Sequence, residues 1–282
     1  MNWGSTIAIK TGSFIVGEDF WRGVVAVIVF LLFWETGSRS LGWFGFAFPW
    51  VSQIPPPTAV LRELSQLIQE VSFWQSVYLS TLRVFEGFFA AMLIGIPLGL
   101  AMAVSRTFNG ITFPVFEVLR PIPPLAWVPA SIIFWPTQEM SIAFVTFLGA
   151  FFTIVINVIG GAQSIDVRYF QAARSMGSST WDIFRRIILP GVLPSIVVGA
   201  TVGVGITWAV VVAAEMISGG GSAGSMGGAA GGGLGFFIWN SYIGGSYTQI
   251  VVGMISIGVA GYISSAVIRK VGELMTPWLA EG

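Results

Sequence analysis

Residues 171–190 read QAARSMGSSTWDIFRRIILP, a polar and basic segment set between long apolar stretches. Gly177 supplies a turn, and the hydroxyl side chains that follow it can cap a second short helix, predicted over residues 181–188. Asp182 lies in the first turn of that helix, where the helix dipole favours an acid. We therefore predict a helix, a glycine turn and a second helix, after which Pro190 restarts the chain as a membrane helix.

The composition on either side of this segment is that of a membrane protein. Of the 282 residues, 55% are hydrophobic and only 9% are charged, and the mean hydropathy is +0.83. These values lie outside the usual range of soluble domains. The chain has no cysteine and no histidine, which excludes disulfides, thiolate nucleophiles, histidine bases and the usual zinc ligands. The sequence therefore indicates a polytopic membrane protein that is not an enzyme.

Stretches without charge locate the membrane helices, because a helix needs roughly 20 apolar residues to cross the hydrocarbon core. Six spans are predicted, at residues 20–37, 74–104, 111–135, 140–161, 190–217 and 247–268. The third is broken by several prolines, so we expect it to be irregular. The N-terminal segment carries acids and no small-residue cleavage site, and we do not expect a removable signal peptide.

The basic residues predict the orientation, because cytoplasmic loops carry an excess of Lys and Arg. With both termini inside, nine basic residues are cytoplasmic: Lys10, Arg22, Arg106, Arg168, Arg174, Arg185, Arg186, Arg269 and Lys270. Two are external, Arg39 and Arg62. We therefore expect a single transmembrane domain over residues 1–282, with a cytoplasmic loop at 165–190.

Two external segments are predicted from the same topology. Residues 37–73 form a linker in which three prolines precede Thr58, a candidate helix cap, and an amphipathic helix follows. Residues 218–246 form a glycine-rich loop, with ten glycines among the eighteen residues from 218 to 235. That run has no P-loop pattern, so a flexible outer loop is the preferred interpretation.

The loop also carries a motif. Two adjacent alanines are followed, after three residues, by a glycine. After nine further residues comes an isoleucine, and after one more comes Leu-Pro. This spacing matches the cytoplasmic loop signature of ABC importer permeases. The matching residues are Ala172, Ala173, Gly177, Ile187, Leu189 and Pro190, and Gln171 stands where that family usually has Glu. The change removes a charge but keeps a hydrogen-bonding side chain.

Other segments resemble the branch of this family that handles nitrate, bicarbonate, taurine and alkanesulfonates. They are PPPTAV (55–60), the run from 80 to 106, LRPIPPLAWVP (119–129), WAVVVAAEMISGG (208–220) and GLGFFIWNSY (233–242). The resemblance covers about residues 21–270. It implies an all-α, type I importer permease fold in a bacterial inner membrane. It also implies a homodimer of permease subunits, two cytoplasmic ATPase subunits that bind the 171–190 loops, and an external substrate-binding protein. It also implies that ATP and Mg²⁺ bind to the ATPase and that this chain needs no cofactor or metal of its own.

Charges at membrane depth are candidate site residues, since they are costly in lipid. Arg83 with Glu86, and Glu117 with Arg120, are spaced i, i+3, so we expect each pair to neutralise itself on one helix face. Arg120 also precedes the proline-rich break, where freed backbone groups can line a cavity. An anion path could use that cation.

Three further residues are candidates for the path. Glu215 either hydrogen-bonds the outer loop or acts as a gate or docking contact. Trp127 and Trp208 either line the path or pack at the membrane interface. The pairs Gly95/Gly99 and Gly199/Gly203 permit close helix packing, and the second pair is a candidate dimer contact.

The function expected from these residues is that of the permease subunit of an ATP-driven importer for a small polar solute, such as nitrate, bicarbonate, taurine or an alkanesulfonate. A small cation such as guanidinium is the alternative, because Glu215 would favour it. A secondary transporter driven by an ion gradient is a further alternative, although no matching broken helix is found in the other half of the chain.

Overall fold

The computed structural model describes residues 18–45, 49, 51–219 and 232–279, and these residues form helices and turns without a strand. The helices are α1 (Glu18–Ser38), α2 (Ser40–Phe44), α3 (Pro57–Leu67), α4 (Val71–Val104), α5 (Arg106–Leu119), α6 (Val128–Phe134), α7 (Gln138–Gln163), α8 (Val167–Ser175), α9 (Thr180–Ile183), α10 (Leu189–Gly219), α11 (Leu234–Ile243) and α12 (Tyr247–Met275). Short 3₁₀ turns lie at Val51–Gln53, Pro124–Trp127 and Pro277–Leu279, and a π-helical turn lies at Phe184–Ile188. The predicted N-terminal segment and most of the glycine-rich run lie outside the described residues.

Five helical segments of the described chain are long and apolar enough to cross a membrane. They are Trp21–Ser38, Val71–Val104, Gln138–Gln163, Thr180–Ile217 and Tyr247–Met275. They correspond to the first, second, fourth, fifth and sixth predicted spans. The last helix continues past the predicted end at residue 268, because charged residues end a membrane span without ending a helix.

The third predicted span is not one continuous helix. Instead α5 ends at Leu119, a 3₁₀ turn follows at Pro124–Trp127, and α6 is a short helix. Pro121, Pro123 and Pro124 lack the backbone N–H that a helix needs, and each disfavours helical geometry in the residue before it. Pro114, in contrast, lies within α5. The predicted irregularity is confirmed, and the break falls at residues 120–124.

The packing of α4 against α7 shows that this broken segment runs back along the bundle. Gly87 lies against Thr146, and Gly99 lies against Val158. Both positions advance in the same direction along the two chains, so α4 and α7 are parallel. The segment between them must therefore return to the side from which α4 started.

The centre of the bundle is α7, which packs between α4 and α10. Gly161 lies against Ser195 and Gly149 against Val210, so α7 and α10 are antiparallel. Gly199 lies against Asn157 and Gly203 against Ala150. The close helix packing expected of this second glycine pair is therefore confirmed, and it lies within one chain.

The described residues up to Glu63 and those from Leu64 onward form two compact units. Within the first unit, the N-terminus of α3 is capped by Glu35, whose Oε2 accepts the backbone N–H of Thr58 at 3.2 Å. The Thr58 hydroxyl donates to the same carboxylate at 2.9 Å and accepts from Arg39 at 2.7 Å. The predicted helix is confirmed, but Thr58 lies inside it, and a side chain from another helix provides the cap.

Candidate functional site

The loop at 165–190 has the predicted helix, turn and helix. Asp166 caps α8 by accepting the backbone N–H of Arg168 at 2.8 Å. At the other end of α8, Gly177 has φ +78°, and the N–H of Ser178 donates to Ala173 O at 3.0 Å. This is a left-handed helix end that favours glycine, because other residues are strained there. A Cβ added at Gly177 would meet no atom within 4 Å, so glycine is favoured here by its backbone conformation and not by a lack of space.

The second half of the loop begins with a capping box. The Asp182 N–H donates to Ser179 Oγ at 3.2 Å, and the Ser179 N–H donates to the Asp182 carboxylate at 3.3 Å. The helix then passes through a π-helical turn into α10, with the Leu189 N–H bonded to Phe184 O. The predicted start of the membrane helix at Pro190 agrees with α10, which begins at Leu189, but the chain is already helical before it. Pro190 has no N–H to donate, and the wider turn just before it carries the chain past the missing bond.

The signature residues lie at different depths in this loop. Ala173 is buried, whereas Gln171, Ala172 and Gly177 are exposed, and the Ile187, Leu189 and Pro190 positions are half-buried. Tyr169, Met176 and Trp181 are each more than 60% exposed. These large side chains lie on a loop outside the predicted spans, which is typical of a protein-binding surface.

At the opposite end of the bundle the structure buries a charge cluster. Arg83, on α4, is 2% exposed and donates to Glu139 on α7 (Nε to Oε2, 2.8 Å) and to Glu215 on α10 (Nη1 to Oε1, 2.9 Å). Glu86 faces away and is exposed. The predicted Arg83–Glu86 pair is therefore wrong, because Arg83 binds the acids of two neighbouring helices and not the acid one turn along its own helix.

Glu215 joins this cluster to the start of α11. Its carboxylate accepts from Ser80 Oγ at 2.8 Å and from the N–H of Gly235 at 2.9 Å. Ser80 Oγ in turn accepts the N–H of Leu234 at 2.8 Å, and Arg83 donates to Gly232 O at 2.6 Å. Glu215 is 2% exposed. It thus hydrogen-bonds the returning end of the glycine-rich segment, which is the first of its two predicted roles.

Two glycines make this contact possible. Gly233 has φ +148°, and a Cβ there would overlap the Glu215 carboxylate. A Cβ at Gly235 would overlap the backbone oxygen of Val212. Sequence reasoning missed Ser80, Glu139 and these glycines as members of one cluster. Their only signal was that Ser80 and Arg83 share a helix face, and nothing in the sequence placed Glu139 beside them.

Arg120 lies at a second feature of the bundle. It forms a loose ion pair with Glu117 at 3.9 Å, with both side chains about half exposed, as predicted. It also lines a cavity of about 320 Å³, together with Pro124, Leu148, Gly149, Phe152, Thr153, Ile156, Val202 and Ile206. Sequence reasoning missed Thr153, which no charge or motif distinguishes.

The remaining path candidates do not line this cavity. Trp208 is 2% exposed, and its Nε1 donates to Ser264 Oγ at 3.2 Å, joining α10 to α12. Trp127 packs edge-on against Phe144, with ring centroids 6.4 Å apart, and its buried indole N–H meets no acceptor among the described residues. Of the four candidates, the structure brings only Arg120 to the cavity.

A comparison of the sequence with known protein families agrees with this fold. Residues 95–280 match the model of the binding-protein-dependent transport system inner membrane component, and this stretch includes the loop and most of the bundle. The chain belongs to that family. It is therefore the permease subunit of a binding-protein-dependent ABC importer, a multi-pass protein of the inner membrane.

Individual relatives support the same assignment. The permease is 32% identical to the nitrate import permease protein NrtB of Synechocystis sp., over 94% of this chain and 92% of the relative. It is 32% identical to the taurine transport system permease protein TauC of Escherichia coli (strain K12), over 81% of each chain. Its fold is similar to that of the inward-facing MetNI methionine ABC transporter, with a TM-score of 0.60 and 20% identity over 71% of this chain and 94% of the other.

Proposed function

We propose that the permease imports a small oxyanion, such as nitrate, bicarbonate, taurine or an alkanesulfonate. The observation that carries this proposal is the cavity at Arg120. A guanidinium presents paired N–H donors that match the oxygens of a planar or tetrahedral anion. The similarity to nitrate and taurine permeases favours the same class of solute.

The walls of the cavity strengthen this interaction. Leu148, Phe152 and Ile156 are apolar, and a charge interacts more strongly beside such walls than in water. Thr153 adds a hydroxyl on the same cavity, and its side chain has no hydrogen-bond partner among the described residues. A volume of about 320 Å³ leaves room for an oxyanion that keeps part of its hydration.

The structure weakens the case for a cationic solute. That alternative rested on Glu215, which is buried and bonded to Arg83. Its charge is therefore compensated within the protein and is not presented to a solute. The ion-gradient alternative also loses support, since the chain belongs to an importer family that works with binding proteins.

The assembly we propose contains two copies of the permease, two cytoplasmic ATPase subunits and an external binding protein. The solved relatives include an ABC transporter and a complex with a periplasmic protein. The 165–190 loop would dock on the ATPase through its exposed apolar and basic side chains, with Gln171, Gly177 and their neighbours shaping the contact. ATP and Mg²⁺ would bind to that partner, and the permease would use no cofactor.

Uptake by the purified complex in proteoliposomes tests the role of Arg120. We expect Arg120→Gln to lower uptake of the anion about tenfold or more, the usual effect of losing a hydrogen bond to a charged group. Arg120→Lys should retain part of the activity. Arg106→Gln is the matched control, because Arg106 begins the same helix but does not line the cavity. Equal uptake by Arg120→Gln and Arg106→Gln would rule out a solute contact at Arg120.

The solute class is tested separately on the binding protein that copurifies with the permease. Its thermal unfolding would be followed with nitrate, bicarbonate, taurine, methanesulfonate and guanidinium in turn. We expect stabilisation by one of the anions, since a ligand that binds only the folded state raises the unfolding temperature. Stabilisation by guanidinium alone would reverse the proposed sign of the solute charge.

A further inference from the structure

A second cavity lies where the 165–190 loop folds back on the bundle, and we call it the loop cavity. Its volume is about 310 Å³. It is lined by Ala103, Val104, Ala162, Phe170, Arg174, Ser178, Thr180, Ile183, Phe184 and Ile188. Val104 ends α4, and Ala162 lies in the last turn of α7. The loop cavity therefore faces the level at which the membrane helices end.

Part of the lining of the loop cavity is polar. The guanidinium of Arg174, on α8, has no ion-pair or hydrogen-bond partner among the described residues, and the hydroxyls of Ser178 and Thr180 have none there either. A guanidinium and two hydroxyl groups are the donors that bind a phosphate oxygen. The rest of the lining is mostly apolar, with Val104, Phe184 and Ile188 among its residues.

The charge balance at this end of the bundle favours an anion. Seven basic residues lie here in the described chain: Arg106, Arg168, Arg174, Arg185, Arg186, Arg269 and Lys270. Three acids lie with them, and each is paired: Asp166 with Arg168, Asp182 with Arg186, and Glu273 with Lys270. The remaining net charge of +4 attracts anionic lipid, because basic residues near a membrane surface bind acidic headgroups.

We propose that the loop cavity binds the headgroup phosphate of an anionic phospholipid. Arg174, Ser178 and Thr180 would hold the phosphate, and the apolar part of the lining would receive the start of an acyl chain. A lipid fits better than an acidic segment of a partner protein, because the floor of the cavity consists of the ends of membrane helices. A bound lipid would join α8 to the ends of α4 and α7. The lipid composition would then influence how firmly the loop is held.

Native mass spectrometry of the intact complex tests lipid binding without requiring transport, so its result is independent of the proposed solute. The complex would be titrated with dioleoylphosphatidylglycerol, with dioleoylphosphatidylcholine and with sodium phosphate. We expect retention of phosphatidylglycerol but not of phosphatidylcholine. Arg174→Gln should weaken that retention about tenfold, and Arg174→Lys should keep most of it. Arg269→Gln is the control, because it removes the same charge at the same end outside the cavity.

Three results would overturn the proposal. Equal weakening by Arg174→Gln and Arg269→Gln would indicate unspecific attraction between the basic surface and the lipid. Displacement of the lipid by millimolar sodium phosphate would indicate a site for a free anion. Loss of the ATPase from the Arg174→Gln complex, with phosphatidylglycerol retention unchanged, would indicate that Arg174 contacts the partner protein instead.

Discussion

The buried cluster makes a quantitative prediction for Arg83→Gln. Arg83 makes two hydrogen bonds to Glu139, one to Glu215 and one to Gly232 O. The substitution removes the only cation that the structure places against Glu215 within the described chain. The Glu215 carboxylate would remain buried, with Ser80 and Gly235 as its donors.

The expected cost follows from that uncompensated charge. Removing one partner of a buried ion pair destabilises a protein by about 3–5 kcal/mol. Glu215→Gln should cost less, because Arg83 keeps Glu139 and the amide can keep the bonds to Ser80 and Gly235. The double variant should then be more stable than Arg83→Gln alone, since it leaves no buried charge without a counterion. Arg120→Gln is the matched control: its ion pair is half-exposed and 3.9 Å long, so it should cost at most about 1 kcal/mol.

Thermal unfolding of the four purified variants in one detergent measures this order. At about 2–4 °C per kcal/mol for a chain of this size, Arg83→Gln should unfold about 10 °C below the wild type. The reasoning fails if Arg83→Gln costs no more than Arg120→Gln, or if the effects of Arg83→Gln and Glu215→Gln simply add in the double variant.

Two further predictions concern glycines. The Gly177→Arg variant should insert into the membrane normally but lose the copurifying ATPase and transport. The Gly177→Asn variant should keep more of both, because asparagine tolerates positive φ better than other residues. Retention of the ATPase by Gly177→Arg would contradict the docking role. Gly235→Ala should destabilise the permease by about 1–3 kcal/mol in thermal unfolding, because its Cβ would overlap Val212 O. Gly205→Ala is the control, since nothing lies within 4 Å of the added carbon and alanine favours the helix. Equal destabilisation by Gly235→Ala and Gly205→Ala would refute the steric argument.

Local sequence signals were sufficient for much of the architecture. Long uncharged runs located five of the helices, the prolines at 121–124 marked the break in the third predicted span, and Gly177 with Ser179 defined the turn and cap of the loop. These features depend on short-range physics: the cost of charge in lipid, the missing proline N–H and the φ that glycine allows. The loop signature added the family, which the comparison with known permeases confirmed.

The ion pairs required the tertiary structure. The sequence alone paired Arg83 with Glu86 by helical spacing, whereas the folded chain places it between Glu139 and Glu215, 56 and 132 residues away. The same holds for Glu35, which accepts the N–H of Thr58 in α3, 23 residues away, and for Thr153, which lines the same cavity as Arg120. Spacing along one helix fixes which face a charge occupies. Which partner it meets depends on which helices pack beside it and in which direction they run, and those are long-range features of the folded chain.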